Sequence, residues 1–210
     1  MFITFEGSEG SGKTTQYRRV VEALRAAEYD VVATREPGGT PIAEEIRGVL
    51  LSPREGFPID HRAEALLFSA ARAQHVAELI RPALAAGKLV VCDRFYDSTL
   101  AYQGFGYGLD LDALRQITAF ATAGLVPDLT VYLDCPVEEG LRRRRGTGAD
   151  ELNRLDALAL EFYHRVEQGF QALMRAQPER WVAVDATGTP DEVFARIAAA
   201  LRMRGLRLGG

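Results

Sequence analysis

An apolar run, MFITFE, leads directly into a loop with glycines at positions 7 and 12, then Lys13 and Thr14, and no other part of the chain leaves fewer folds open. Behind it, Tyr17, Val20, Val21 and Leu24 recur at helical spacing. The loop fits G-x-x-x-x-G-K-[ST], a pattern whose physical use requires a strand before it and a helix after it. Its glycines let the backbone curl so that successive N–H groups and the helix N-terminus face phosphates. Lys13 then reaches the outer phosphates and the Thr14 hydroxyl ligates Mg2+. Gly7, Ser8, Glu9, Gly10, Ser11, Gly12, Lys13, Thr14 and Thr15 are thus the expected binding loop for a nucleoside triphosphate. A glycine-rich turn alone explains Gly7 and Gly12 but not Lys13, one of two lysines in a chain that otherwise uses arginine.

Beyond the loop, short apolar runs alternate with stretches of helical length. MFITFE, VVATRE, KLVVCDRF, DLTVYLD and RWVAVDA read as strands. The alternation predicts an α/β fold with a parallel sheet flanked by helices on both faces. Thr40-Pro41 and Thr189-Pro190 read as helix starts. With 210 residues, 47% of them apolar, and no repeat or low-complexity linker, the chain reads as one domain over 1–210. SPREGFPIDH and RRRRGTGADELNR read as mobile connections.

A formal net charge of −4, with no basic run apart from Arg142 to Arg145, argues against nucleic acid or an anionic membrane as the partner. Cys92 and Cys135 follow apolar runs and match no metal-ligand spacing, so they read as reduced core residues. The N-terminus lacks a basic-then-apolar leader, and no stretch reaches the roughly 18 apolar residues of a membrane span. A soluble, cytoplasmic protein with a small substrate is the expectation.

Glu9 is the anomaly in the loop, since phosphate would repel it. Its carboxylate must face something else, most simply the hydroxyls of a second ligand. In VVCDRFYDSTLAYQG an apolar strand ends at Asp93-Arg94, and strand C-terminal ends line the ligand crevice of a parallel sheet. Asp93 is placed to hold Mg2+ through water and Arg94 to bridge two phosphates with its planar fork. The plainer reading is a surface pair capping a strand.

FEGSEGSGKTTQ, TREPGGTPIAEEIR, ALLFSAARAQHV and DRFYDSTLAYQG, in that order, resemble the bacterial thymidylate kinases over nearly the whole chain. The resemblance implies a P-loop kinase fold with a five-stranded parallel sheet and an Arg-rich lid at about 141–155, a homodimer, and Mg2+-dependent transfer of the ATP γ-phosphoryl to dTMP. It sets Glu9 on the deoxyribose 3′-hydroxyl and Tyr102 beside the sugar C2′, where it would reject ribonucleotides. Phe68 would stack on thymine and Arg72, one helical turn on, would reach a base carbonyl, while core packing is the alternative for Phe68. Thr99 and Gln103 would hydrogen-bond the base edge, with Ser98 completing this dTMP segment. Arg35, Glu36, Pro37 and Arg47 would follow the dTMP phosphate and sugar, although a strand end, turn and helix cap already account for much of REPGGT.

An ionised phosphate oxygen attacks without a general base, so catalysis reduces to alignment and charge neutralisation. His61, His75 and His164 are given no role. Ser8 to Ser11 include no cation, so LRRRRGTGADELNR is expected to supply it, with Arg145 near the phosphates, Arg143 near adenine and Arg154 in the lid. Lys13, Arg94 and Arg145 are the expected catalytic residues. The chain departs from the family's Asp-Arg-x-Glu after the lid, having Asn153, Arg154, Leu155 and Asp156. A deoxynucleoside kinase or another monophosphate kinase would share the P-loop and the Asp-Arg pair. A regulatory P-loop switch would carry an Asn/Lys base-recognition motif, which is absent.

Overall fold

The five apolar runs form one fully parallel sheet. β1 (Phe2–Gly7), β2 (Val31–Arg35), β3 (Leu89–Asp93), β4 (Leu129–Asp134) and β5 (Trp181–Asp185) stand in the order β2-β3-β1-β4-β5. A computed structural model describes residues 1–52, 58–145 and 154–209, apart from the side chains of 145 and 154–159. Of the two connections read as mobile, residues 53–57 and 146–153 lie outside those described.

Burial on both faces explains why the three central strands, β3, β1 and β4, are almost continuously apolar, while the edge strands β2 and β5 alternate buried with more exposed positions. Ile3, Phe5, Val91 and Val131 point to one face, where α1 (Lys13–Ala26) covers them with Val20, Val21 and Leu24, joined by Val193, Ile197 and Leu201 of α9 (Pro190–Met203). Phe2, Val90, Cys92 and Tyr132 point to the other. The remaining helices are α2 (Pro41–Leu51), α3 (His61–His75), α4 (Arg81–Ala85), α5 (Tyr96–Thr99), α6 (Leu111–Thr122), α7 (Val137–Arg145) and α8 (Arg154–Ala176). Ala65 of α3, Ala83 of α4, Tyr96 of α5, Leu114 of α6 and Val166 and Phe170 of α8 cover that second face. Truncating a fully buried side chain such as Phe5 would cost about 3–5 kcal/mol. Cys92 and Cys135 are buried free thiols.

The helix starts read from sequence are present. Thr189 and Glu192 form a reciprocal capping box at α9, and Pro41 occupies the first turn of α2 behind Thr40, whose side chain makes no cap bond. α3 runs on through a π-helical turn at Val76–Ile80, and α5 through another at Leu100–Gly106 that carries Tyr102 and Gln103. Among the described residues, no helix is long and apolar enough to cross a membrane.

Register fixes where chemistry can gather. Phe5 and Arg35 both pair with Asp93, so Glu6-Gly7, Arg35-Glu36 and Asp93-Arg94 leave the sheet side by side at its C-terminal edge.

Candidate active site

The loop from Gly7 to Thr14 wraps the N-terminus of α1 and lines a groove of about 200 Å3 with residues 8 to 15 and Arg94. Gly10 and Gly12 take left-handed φ angles of 72° and 81°, the conformation glycine reaches without strain. Gly12 caps α1 without a side-chain bond, which leaves the helix amides facing the groove. The Ser8 and Ser11 hydroxyls are buried without a partner. Such donors suit an anion. Lys13, buried, donates to Asp93 Oδ1, and Thr14 Oγ1 stands 3.3 Å from Asp93 Oδ2. Burial, then Arg94, lowers the Lys13 pKa.

A larger cleft of about 550 Å3 opens beside the groove and shares Glu9, Lys13, Thr14 and Arg94 with it. All twelve residues expected to hold dTMP line it: Glu9, Arg35, Glu36, Pro37, Arg47, Phe68, Arg72, Arg94, Ser98, Thr99, Tyr102 and Gln103. Arg18, Leu51 and Phe95 line it too, without having stood out in the sequence.

Arg94 sits at the junction with a left-handed φ of 68°. Its Nη2 donates to Glu9 Oε1 at 3.0 Å and to the Tyr102 hydroxyl at 3.2 Å, and its Nη1 to Ser98 Oγ at 3.1 Å. Beneath it lies Glu6, fully buried, which accepts from the Phe95 amide at 2.8 Å and from the Ser98 hydroxyl at 2.6 Å. Burial, reinforced by Asp97, pushes the Glu6 pKa up to about 7.

On the far wall Arg72, 2% exposed, donates through Nε to Glu36 Oε2 at 2.7 Å and through Nη2 to Thr99 Oγ1 at 3.1 Å. Its Nη1 is buried without a partner. Glu36 turns its other oxygen to His75 Nδ1 at 3.0 Å, and His75 Nε2 meets Thr34 Oγ1 at 2.7 Å. His75, given no role from sequence, is therefore a fully buried tie between β2 and α3. Gln103 Nε2 donates to Glu64 at 3.1 Å. Phe68 is only partly buried and belongs to neither apolar core, so core packing does not account for it. Arg35 makes a bidentate pair with Glu44 at 2.7 and 3.1 Å, which also accepts from the Gly39 amide, while Arg47 donates to the Pro37 carbonyl. Burial, then Arg35, lowers the Arg47 pKa.

α7 ends in the arginine run. Arg142 and Arg143 both pair with Glu139, and Arg143 also donates to the Ala186 carbonyl at 3.0 Å, so it lines neither space. The side chains of Arg145 and Arg154, and all of 146–153, lie outside the described residues. Sequence reasoning missed Glu6, whose only mark was one carboxylate inside an apolar run, and it missed Glu44, Glu64 and His75.

The sequence model of a family described as thymidylate kinase matches residues 5–197. A thymidylate kinase of Synechococcus sp. is 52% identical over 204 residues, covering 97% of this chain and 95% of its own. One of Roseiflexus sp. is 51% identical over 209 residues, 95% and 92%. The crystal structure of thymidylate kinase from Ehrlichia chaffeensis superposes with a TM-score of 0.79 at 34% identity, over 96% of this chain and 98% of that one. Together with a five-stranded parallel sheet whose edge joins a phosphate loop to a second cleft, these matches show that the chain belongs to the thymidylate kinase family, the enzymes that phosphorylate dTMP to dTDP with ATP.

Proposed function

We propose that the chain passes the γ-phosphoryl of ATP in line to the phosphate of dTMP, without a general base, at the point where groove and cleft meet. One observation carries this reading: Glu9, Lys13, Thr14 and Arg94 line both spaces, so a triphosphate on the loop and a monophosphate in the cleft converge there. No histidine among the described residues lines the cleft, in keeping with an acceptor oxygen that is already ionised.

Lys13 and Arg94 neutralise charge as it moves between the phosphates, and Arg145, at the end of α7, is the lid cation that joins them. Glu9 takes the sugar 3′-hydroxyl and holds Arg94 in place. Tyr102 fills the space beside C2′, Phe68 stacks on the base, and the free Nη1 of Arg72 donates to a base carbonyl. Arg35 and Arg47 steady the acceptor phosphate. Thr14 and Asp93 offer the hard oxygen donors Mg2+ prefers, Asp93 through water. Bound there, the ion would screen the triphosphate oxygens.

The chain is read as a single domain that works in the cytoplasm, in keeping with its two buried free thiols, and as a homodimer. Leu66 on α3 and Phe120 on α6 are apolar and exposed, Phe120 to 89%, on helices that pack together. Sedimentation of the chain against Phe120→Glu tests this: a dimer that the substitution splits supports it, and a monomer at every concentration sinks it.

The deciding assay is ADP release with ATP, Mg2+ and dTMP, dUMP, thymidine, CMP or AMP. Turnover with dTMP, slower with dUMP, is the expected result. A thymine methyl contributes only about 1 kcal/mol, so discrimination against dUMP is partial. Turnover with thymidine alone would overturn the reading.

A further inference from the structure

Glu6 is the last residue but one of β1 and lines neither ligand space, and nothing in the reaction as described uses it. A fully buried carboxylate needs a compensating set of partners. Both of its oxygens have one, the Phe95 amide on Oε1 and the Ser98 hydroxyl on Oε2, and both partners follow Arg94 closely in the chain, Phe95 as the next residue and Ser98 within α5.

Hydrogen-bond polarity gives this contact its direction. Ionised, as it is above a pH of about 7, Glu6 can only accept, and a guanidinium can only donate. Ser98 has one hydrogen, which goes to Glu6 at 2.6 Å, so its lone pairs are left for Arg94 Nη1 at 3.1 Å. Protons along the chain all point one way, from Arg94 through Ser98 to Glu6, and charge-assisted links of this kind polarise one another. The backbone is held on the same side: the Arg94 amide donates to the Phe5 carbonyl at 2.9 Å, and the next amide, Phe95, to Glu6. The amide of Arg94, which has a left-handed φ, and that of Phe95 after it are thus gripped by two consecutive residues of β1.

We propose that Glu6 is a positioning residue for phosphoryl transfer, fixing the backbone and guanidinium of Arg94 through Ser98 and the Phe95 amide. The proposal rests on the assignment of Arg94 to the transferring phosphoryl group. A neutral amide at position 6 keeps the bond from Phe95 but offers N–H to Ser98, which turns the hydroxyl hydrogen away from Glu6's position and breaks the run of polarity to Arg94.

The test is steady-state kinetics of Glu6→Gln, Ser98→Ala, the double variant and Arg94→Met, with ATP and dTMP varied separately. Glu6→Gln should lower kcat about ten- to a hundredfold, the range seen when an outer partner of a working group is removed, and leave the KM for ATP within about twofold. Ser98→Ala should lower kcat in the same way, and the double variant should be no worse than Glu6→Gln, because both act through one chain. A merely structural carboxylate would give additive losses or an unchanged kcat at saturation, and either overturns the proposal. Should Glu6→Gln fail to fold, a Ser98→Ala enzyme with undiminished kcat overturns it as well. The two readings separate on Arg94→Met: if that variant loses turnover while Glu6→Gln does not, only the Glu6 proposal falls, and if Arg94→Met turns over normally the assignment of Arg94 falls and the proposal with it.

Discussion

Gly10 and Gly140 meet backbone to backbone: a Cβ on Gly10 would stand 1.9 Å from the Gly140 carbonyl oxygen, and one on Gly140 would stand 2.4 Å from the Glu9 carbonyl oxygen. The phosphate loop thus rests directly on α7, the helix that ends in the arginine run. Neither backbone can yield to a methyl group without moving the other.

Gly140→Ala should therefore displace the loop rather than be absorbed locally. We expect a stability loss of about 1–3 kcal/mol in denaturant melts, the usual result of overpacking, and a rise in the KM for ATP that exceeds any rise for dTMP. Equal effects on both substrates would mean that the contact serves the fold alone.

Tyr102 separates ring from hydroxyl as determinants of sugar choice. Its ring lies 5.0 Å from the Arg94 guanidinium carbon and packs edgewise on Phe162 and Phe170. Tyr102→Ala should lower the preference for dTMP over its ribose counterpart about tenfold, since filling or emptying a small space is worth ~1–3 kcal/mol. Tyr102→Phe should keep the preference and lose only the 3.2 Å bond from Arg94. A ratio of kcat/KM values that stays fixed in Tyr102→Ala would remove the steric account.

Lys13 offers a sharper test of the loop. Its ammonium donates to Asp93 inside the junction. Lys13→Ala should lower kcat by about a hundred- to a thousandfold, as when a charge-stabilising donor is lost, with an unchanged circular dichroism spectrum. Turnover within a few-fold of the parent enzyme would remove Lys13 from the chemistry.

Legibility of the fold and of the site followed different physics. The sheet could be read because central strands buried on both faces must be apolar nearly throughout, which left LVVCD or LTVYLD with few alternatives. The cleft residues could be read because Phe68, Arg72 and the DRFYDSTLAYQG stretch are contiguous motifs. Pairings between distant segments carry no such mark. Glu6 and Ser98 are 92 residues apart and Glu36 and His75 are 39 apart, and only the register that brings Phe5 and Arg35 to Asp93 makes them neighbours. Nor did anything in the sequence single out Asp97, whose carboxylate is paired twice with Arg180 beneath the turn, at 2.7 and 2.8 Å. Its neighbour Ser98 faces the cleft, while Asp97 is fully buried.

Glu6 also links the site to pH. Burial, with Asp97 second, raises its folded pKa from 4.5 to about 7, with Arg94 opposing and Lys13 and Arg180 also facing it. Between those values the folded chain keeps a proton that the unfolded chain has lost. Its contribution to stability is therefore greatest below pH 4.5 and falls as pH rises to about 7. The full difference amounts to ~3 kcal/mol. Glu6→Gln carries no such proton, so its stability relative to the parent should improve by that order between pH 5 and pH 8, measured by guanidinium melts at both, even as its kcat falls. An ionisable group kept where it weakens the fold at neutral pH is what a functional carboxylate looks like. Parallel pH dependence in the two proteins would show that Glu6 titrates as an ordinary glutamate and that its burial costs the fold nothing.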